Sequence, residues 1–324
     1  MFNTYTKIIC DEKVDNIFSS LKKIVTIDKL KICFNTPIGL YDRFSALCIS
    51  DYDLIFTHKD TDNDGITITM AIHDYNNKMV DLGTLFISNS NKYKFMAFFQ
   101  FSNIALYHIF GYDNDGKPYN GLHYLPMITK YFDLTFRSVT TLELAIDSNI
   151  NVISRIRKYI KDYYNYDIVL NGKKIKSEKQ TLDLYGEYYE RTRKGITKKP
   201  TLYFHQKDNS YSLKVYDKAR EIETSNKGYI SDKKHLFRVE LTIRNEDIKE
   251  FCNSLSKIDS LSRFEDYFNV LNYINDDEFL FLLFFKYTKR MIYFIDKRTK
   301  VRIYLTDILK VTEKFRDIIG YFQK

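Results

Sequence analysis

Apolar positions recur along this chain with two different periods, and the switches between them predict its elements. Glu12–Ile27 carries Val14, Ile17, Phe18, Leu21, Ile24 and Val25 at helical spacing. Short apolar runs over 30–57 predict strands. Ile66–Ile72 (ITITMAI) alternates with period two, Met79–Ser88 reads as its hairpin partner, and Tyr93–Phe101 as a further strand. Residues 121–132 place Leu122, Leu125, Ile128 and Tyr131 on one helical face. Ser138–Asp147 (SVTTLELAID) is rich in β-branched residues and predicts a strand, after which Ile150–Tyr164 returns to helical spacing. Thr181–Tyr189, Leu202–Phe204, Ser212–Tyr216 and Phe237–Ile243 predict strands, with 190–200 (ERTRKGITKKP) a basic loop between the first two. From Glu246 the pattern is helical to the end, apart from a hairpin around Met291–Tyr304.

These elements predict an α+β fold: an antiparallel sheet body over 1–245 and a mostly helical C-terminal region over 246–324. Strand, strand, helix, strand recurs in both halves of the body, so a duplicated sheet unit fits the order. The 324 residues are 44% hydrophobic, which is ample for a core, and 4 Pro and 11 Gly argue against a long disordered segment. The most apolar run, Phe279–Phe285 (FLFLLFF), is far short of the roughly 20 residues that span a bilayer in a helix. It reads as a buried helix face. No membrane partner is expected, and without a leader pattern at the start the expected location is cytoplasmic.

A net charge of +8 favours a polyanionic partner. The 27 Tyr and 25 Phe can stack on unpaired bases, although AT-rich coding alone writes a similar composition. Cysteines at 10, 33, 48 and 252 lack metal-ligand spacing and read as reduced, buried thiols. Asp60-x-Asp62-x-Asp64-Gly65 opens like a calcium loop, but Ala71 stands where the closing Glu belongs, so a hairpin turn is the better account. The histidines at 58, 73, 108, 123, 205 and 235 never fall as H-x-H or H-E-x-x-H. No phosphate-binding glycine loop and no G-x-S-x-G occur, which removes the common ATPase and hydrolase motifs.

Three segments concentrate chemistry. On Thr141–Asp147, strand alternation puts Glu143 and Asp147 on one face, where they suit a hard divalent cation or else point to solvent. On Leu213–Tyr216, Lys214 and Tyr216 share the face opposite Leu213 and Val215, and Asp217, Lys218 and Glu221 follow. A phenol ionises near pH 10, so a tyrosine nucleophile requires activation, and flanking positive charge supplies it. On Phe237–Ile243, Arg238, Glu240 and Thr242 share a face. Arg238 suits a phosphate clamp or a cross-strand carboxylate pair, and Glu240 suits the completion of a metal site.

TLELAID (141–147), LKVYDKARE (213–221) and FRVELTIR (237–244), in that order, resemble the trans-acting rolling-circle replication initiators of small Gram-positive plasmids, relatives of conjugative-transposon relaxases. That family's pattern is R-L-D-L-A-x-D, then I-R-I-Y-N-K-K-x-E, then W-R-V-E-I-E-L-K. The match is specific over about residues 120–250 and extends upstream through TLYFHQKDNSYSLKVYDK (201–218). Thr141 replaces the usual Arg, Glu143 the usual first Asp, and Asp217 the usual Asn.

The resemblance implies a Rep-type, HUH-like sheet without the two-His motif. It implies that Tyr216 is the nucleophile, that Lys218, Glu221 and Arg238 serve it, and that Glu143, Asp147 and Glu240 hold Mg²⁺ or Mn²⁺. The partner it implies is single-stranded or cruciform origin DNA, with a homodimer and a host helicase. Lys214 and the loop cations Arg191, Arg193, Lys194, Lys198 and Lys199 are expected at the DNA. The C-terminal cations Lys286, Lys289, Arg290, Lys297, Arg298, Lys300 and Arg302 are expected to aid DNA recognition or dimerisation. A conjugative relaxase with the same chemistry, and a non-enzymatic DNA-binding regulator on the same fold, are the alternatives.

Overall fold

The computed structural model describes residues 24–42, 55–61, 64–175, 185–192, 195–205, 211–224, 236–255 and 258–311. Two compact units divide the chain, one spanning Ile27–Glu143 and the other taking in the residues outside that span. Up to residue 23, the helix expected over Glu12–Ile27 lies outside the described residues. Its last two positions, Thr26 and Ile27, instead open a strand.

Within the first unit run β1 (Thr26–Asn35), β2 (Ile55–Thr61), β3 (Gly65–His73), β4 (Met79–Ser88), β5 (Met96–Phe101) and the short pair β6 (Gly111–Tyr112) and β7 (Pro118–Tyr119). Then comes β8 (Thr135–Ser148), whose last five residues belong to the second unit. The order is β8-β1-β5-β4-β3-β2, with β1–β5, β5–β4, β4–β3 and β3–β2 antiparallel. Alternation decides the buried face: Leu30, Ile32, Phe34, Ile66, Ile68, Leu85, Phe99 and Phe101 are all buried. Helix Leu125–Tyr131 adds Ile128 to that core, following a 3₁₀ turn over Gly121–Tyr124 that Asn120 caps. Gly83 sits opposite the β3 bulge between Met70 and Ala71 with φ +149°, where a Cβ would meet the Gln100 carbonyl oxygen at 2.3 Å. The calcium-like Asp run falls where Thr61 of β2 pairs with Ile66 of β3, as a hairpin requires.

In the second unit run β9 (Tyr166–Leu170), β10 (Lys173–Ile175), β11 (Tyr185–Thr192), β12 (Gly195–His205), β13 (Ser212–Asp217), β14 (Phe237–Arg244), β15 (Ile292–Asp296) and β16 (Arg302–Tyr304). One row runs β11-β12-β13-β14 and on to the end of β8, and a four-stranded sheet runs β10-β9-β15-β16. The hairpin expected around Met291–Tyr304 is β15–β16. At its described positions the 190–200 segment is strand and not the expected loop: Glu190, Arg191 and Thr192 pair with Thr197, Ile196 and Gly195. A run of cations looks like loop in one dimension, but its backbone groups are satisfied by the partner strand.

The fold is therefore mixed α+β with antiparallel sheet. The boundary expected at residue 245 falls inside the second unit, because β14 passes directly into helix Asn245–Leu255. That helix and helix Asp277–Met291 both lie against β14. The switch from strand to helix period marks the end of an element, and these helices cover the sheet they follow. Helix Asp277–Met291 starts where Asp276 accepts hydrogen bonds from the Glu278 and Phe279 amides, and it is buried on almost every side. Among the described residues no helix is long and apolar enough to cross a membrane.

Candidate active site

Strands β13 and β14 bring two of the three chemical segments into register. Lys214 pairs with Glu240 and Tyr216 with Arg238, so alternation puts all four on one face. Tyr203 and Thr201 of β12 pair with Lys214 and Tyr216 and share it. On the other face Leu213, Val215, Val239 and Leu241 are fully buried, which fixes the register against a one-residue slip.

Tyr216 donates its hydroxyl proton to Glu240 Oε2 at 2.9 Å. Lys214 Nζ donates to the other carboxylate oxygen, Oε1, at 2.7 Å, and stands 4.9 Å from the centre of the Tyr216 ring. Lys218 Nζ lies 5.8 Å from the same ring and pairs with Glu221 at 2.6 Å. The strand stops there for a local reason: Asp217 Oδ1 accepts from the Arg220 amide and caps helix Lys218–Thr224. Asp and Asn cap equally well, so the Asp217 departure costs the motif nothing locally. Tyr216 is 7% exposed, while the Lys214 side chain is 35% exposed. The phenol thus presents its oxygen to a carboxylate, with two ammonium groups close to its ring.

Arg238 forms a bidentate pair with Asp147 of β8, Nε to Oδ1 and Nη2 to Oδ2, both at 2.6 Å. It is 1% exposed and the largest fully buried side chain among the described residues. This is the cross-strand pair, and it leaves the guanidinium fork occupied. Glu143, at the end of the first unit, pairs with Lys29 at 3.7 Å and is partly exposed.

The three acids expected to hold a metal are thus each matched to a cationic side chain. Among the described residues, no three or more His, Cys, Asp or Glu side chains come together in a group that could hold a metal ion. The donor set does not fit a divalent ion as it stands. Among the histidines, His108 Nε2 is engaged by Asp74 at 2.8 Å inside the first unit, and His235 lies outside the described residues. Arg193 and Lys194 lie outside the described residues, and Arg191, Lys198 and Lys199 fall on β11 and β12. Cys33 and Cys252 are buried free thiols, and burial pushes Cys252 up to about 11.

Sequence reasoning missed the direct partnership between Tyr216 and Glu240. Its signal is present, since both residues lie on polar faces of neighbouring amphipathic strands, but only the register shows that the faces coincide.

No family model matches the chain, and no curated protein matches it. Among solved structures, the rolling circle replication initiator protein from Geobacillus stearothermophilus is similar at 13% identity with a TM-score of 0.48, over 89% of this chain and 97% of that one.

Proposed function

We propose that this chain initiates rolling-circle replication by nicking and rejoining one DNA strand through Tyr216. The observation that carries this reading is the hydrogen bond from Tyr216 to Glu240, on a face where Lys214 holds the same carboxylate. The three motif segments around it supply the context.

The Tyr216 oxygen attacks a phosphodiester phosphorus as its proton passes to Glu240. The new bond is P–O(Tyr216) and the broken bond is P–O3′, leaving a 5′-phosphotyrosine and a 3′-oxygen that takes up a proton. Lys214 and Lys218 offset the charge that builds on the phosphate oxygens. One phosphoester replaces another, so the step needs no ATP, and the reverse attack by a 3′-hydroxyl reseals the strand. Arg238 and Asp147 hold β14 to β8 and so keep Glu240 in place.

Incubating the protein with a labelled single-stranded oligonucleotide from a plasmid double-strand origin should trap a covalent adduct. Tyr216→Phe should abolish the adduct while leaving DNA binding intact. Parallel reactions in Mg²⁺, Mn²⁺ and EDTA show whether a divalent cation is required beside the lysines. An adduct that survives Tyr216→Phe at the wild-type rate overturns the assignment. Binding without any adduct from the wild-type chain favours the non-enzymatic regulator, and a transfer origin cut in preference to a replication origin favours the relaxase.

A further inference from the structure

Away from Tyr216, the second unit contains a cavity of about 440 Å³ walled by cations and tyrosines. Lys289 and Arg290 come from the last turn of helix Asp277–Met291, Tyr293 from β15, Arg302 and Tyr304 from β16, and Tyr211 from the residue before β13. The Asn171-Gly172 turn between β9 and β10 forms its lip, both residues having positive φ as a tight hairpin demands. The volume is within the range of small-molecule sites.

Positive charge is concentrated in this wall. Among the described lining residues none is Asp or Glu, and Glu250, which holds Arg290 at 2.8 Å, lies outside the lining. Burial, with Arg290 and Arg302 alongside, holds the Lys289 ammonium below its usual range. An anion entering the cavity meets Lys289 and Arg302 and no carboxylate of the lining.

The aromatic walls narrow the choice of anion. Tyr293 and Tyr304 pair across the β15–β16 hairpin with ring centres 5.7 Å apart, and the Arg302 guanidinium stands 5.7 Å from the Tyr293 ring. Arg298 and Lys300 at the turn of that hairpin carry positive charge beyond the cavity, as the neighbouring phosphates of a strand would require, while Lys297 beside them pairs with Asp167 at 3.7 Å.

We propose that this cavity takes one unpaired nucleotide of a single-stranded nucleic acid, its phosphate held by Lys289 and Arg302 and its base set against Tyr293 and Tyr304. The assignment does not depend on Tyr216 being a nucleophile.

The test measures fluorescence anisotropy of a labelled oligothymidylate with the full chain across a salt series. Lys289→Gln/Arg302→Gln should weaken binding about tenfold at low salt and flatten the log–log salt slope by about 1.4, at roughly 0.7 for each single-strand phosphate no longer neutralised. Tyr293→Leu should weaken it at least about fivefold with little change in slope. An unchanged melting temperature in both variants confirms that the fold survives. Binding equal to wild type in both variants overturns the proposal. So does competition by thymidine monophosphate at the same concentration as the oligonucleotide, which would make the ligand a free nucleotide. Equal loss for a duplex of the same length also overturns it, because that would be a general phosphate surface. Making the same measurements in Tyr216→Phe should give the same differences.

Discussion

At the scale of single residues, Glu240 is asked to accept a proton and Arg238 to hold a strand, and the two roles predict different failures. Glu240→Gln keeps the shape and the hydrogen bond while removing the base. Adduct formation should fall by about 10²–10⁴-fold, the range general-base removal gives, with melting temperature little changed. A rate within a factor of two of wild type would leave the glutamate a structural partner only. Arg238→Met strands the Asp147 carboxylate in the interior and should cost about 3–5 kcal/mol in urea denaturation. Adding Asp147→Leu should recover much of that loss, because the buried charge is then gone. Alternation on 213–216 and 237–243 suffices to place Lys214 with Tyr216, and Arg238 with Glu240. That Arg238 spends Nε and Nη2 on Asp147 follows from β14 lying beside β8, and no local pattern encodes strand order.

Among the elements, long and strongly patterned ones were legible and short ones were not. FLFLLFF reads as helix face, and helix Asp277–Met291 buries all of Phe279–Thr288. Asp276→Ala removes the acceptor for two amides at its start and should cost about 1 kcal/mol, read as a lowered melting temperature. Strands β9 and β10 escaped the sequence reading. They are short, and β9 becomes a strand by pairing with β15, more than a hundred residues away. Asn171-Gly172 is the one local sign of that hairpin. The basic run over 190–200 misled for the opposite reason, since composition points to loop while pairing between β11 and β12 makes its described positions sheet.

Taken as a whole molecule, the chain should be sensitive to acid through its first unit. His108 and Asp74 are both buried there and joined at 2.8 Å. Burial holds the His108 ring below its usual range, outweighing the nearby carboxylate. Burial alone would raise Asp74, but the Lys78 amide, the His108 ring and the Asn76 amide together hold it below the usual carboxylate range. Both groups therefore bind protons more weakly folded than unfolded. The stability they contribute is full above the unfolded pKa of each, about 6.5 and 3.9, and is lost as pH falls through those ranges. Melting temperature should drop between pH 7 and 5 and again below 4, and His108→Gln should flatten the upper step.

The sharing of β8 between the two units also orders events in time. Ile27–Glu143 is one unbroken stretch, complete in itself when the ribosome has passed residue 143. The next five residues of β8 belong to a body whose neighbouring strand, β14, is not yet made, and Asp147 waits 91 positions for Arg238. Until then a nascent chain displays Leu144, Ala145 and Ile146 on an open strand edge beside an uncompensated carboxylate. Chaperone capture or mispairing should be concentrated in that interval of synthesis, and a translational pause before Phe237 should lengthen it.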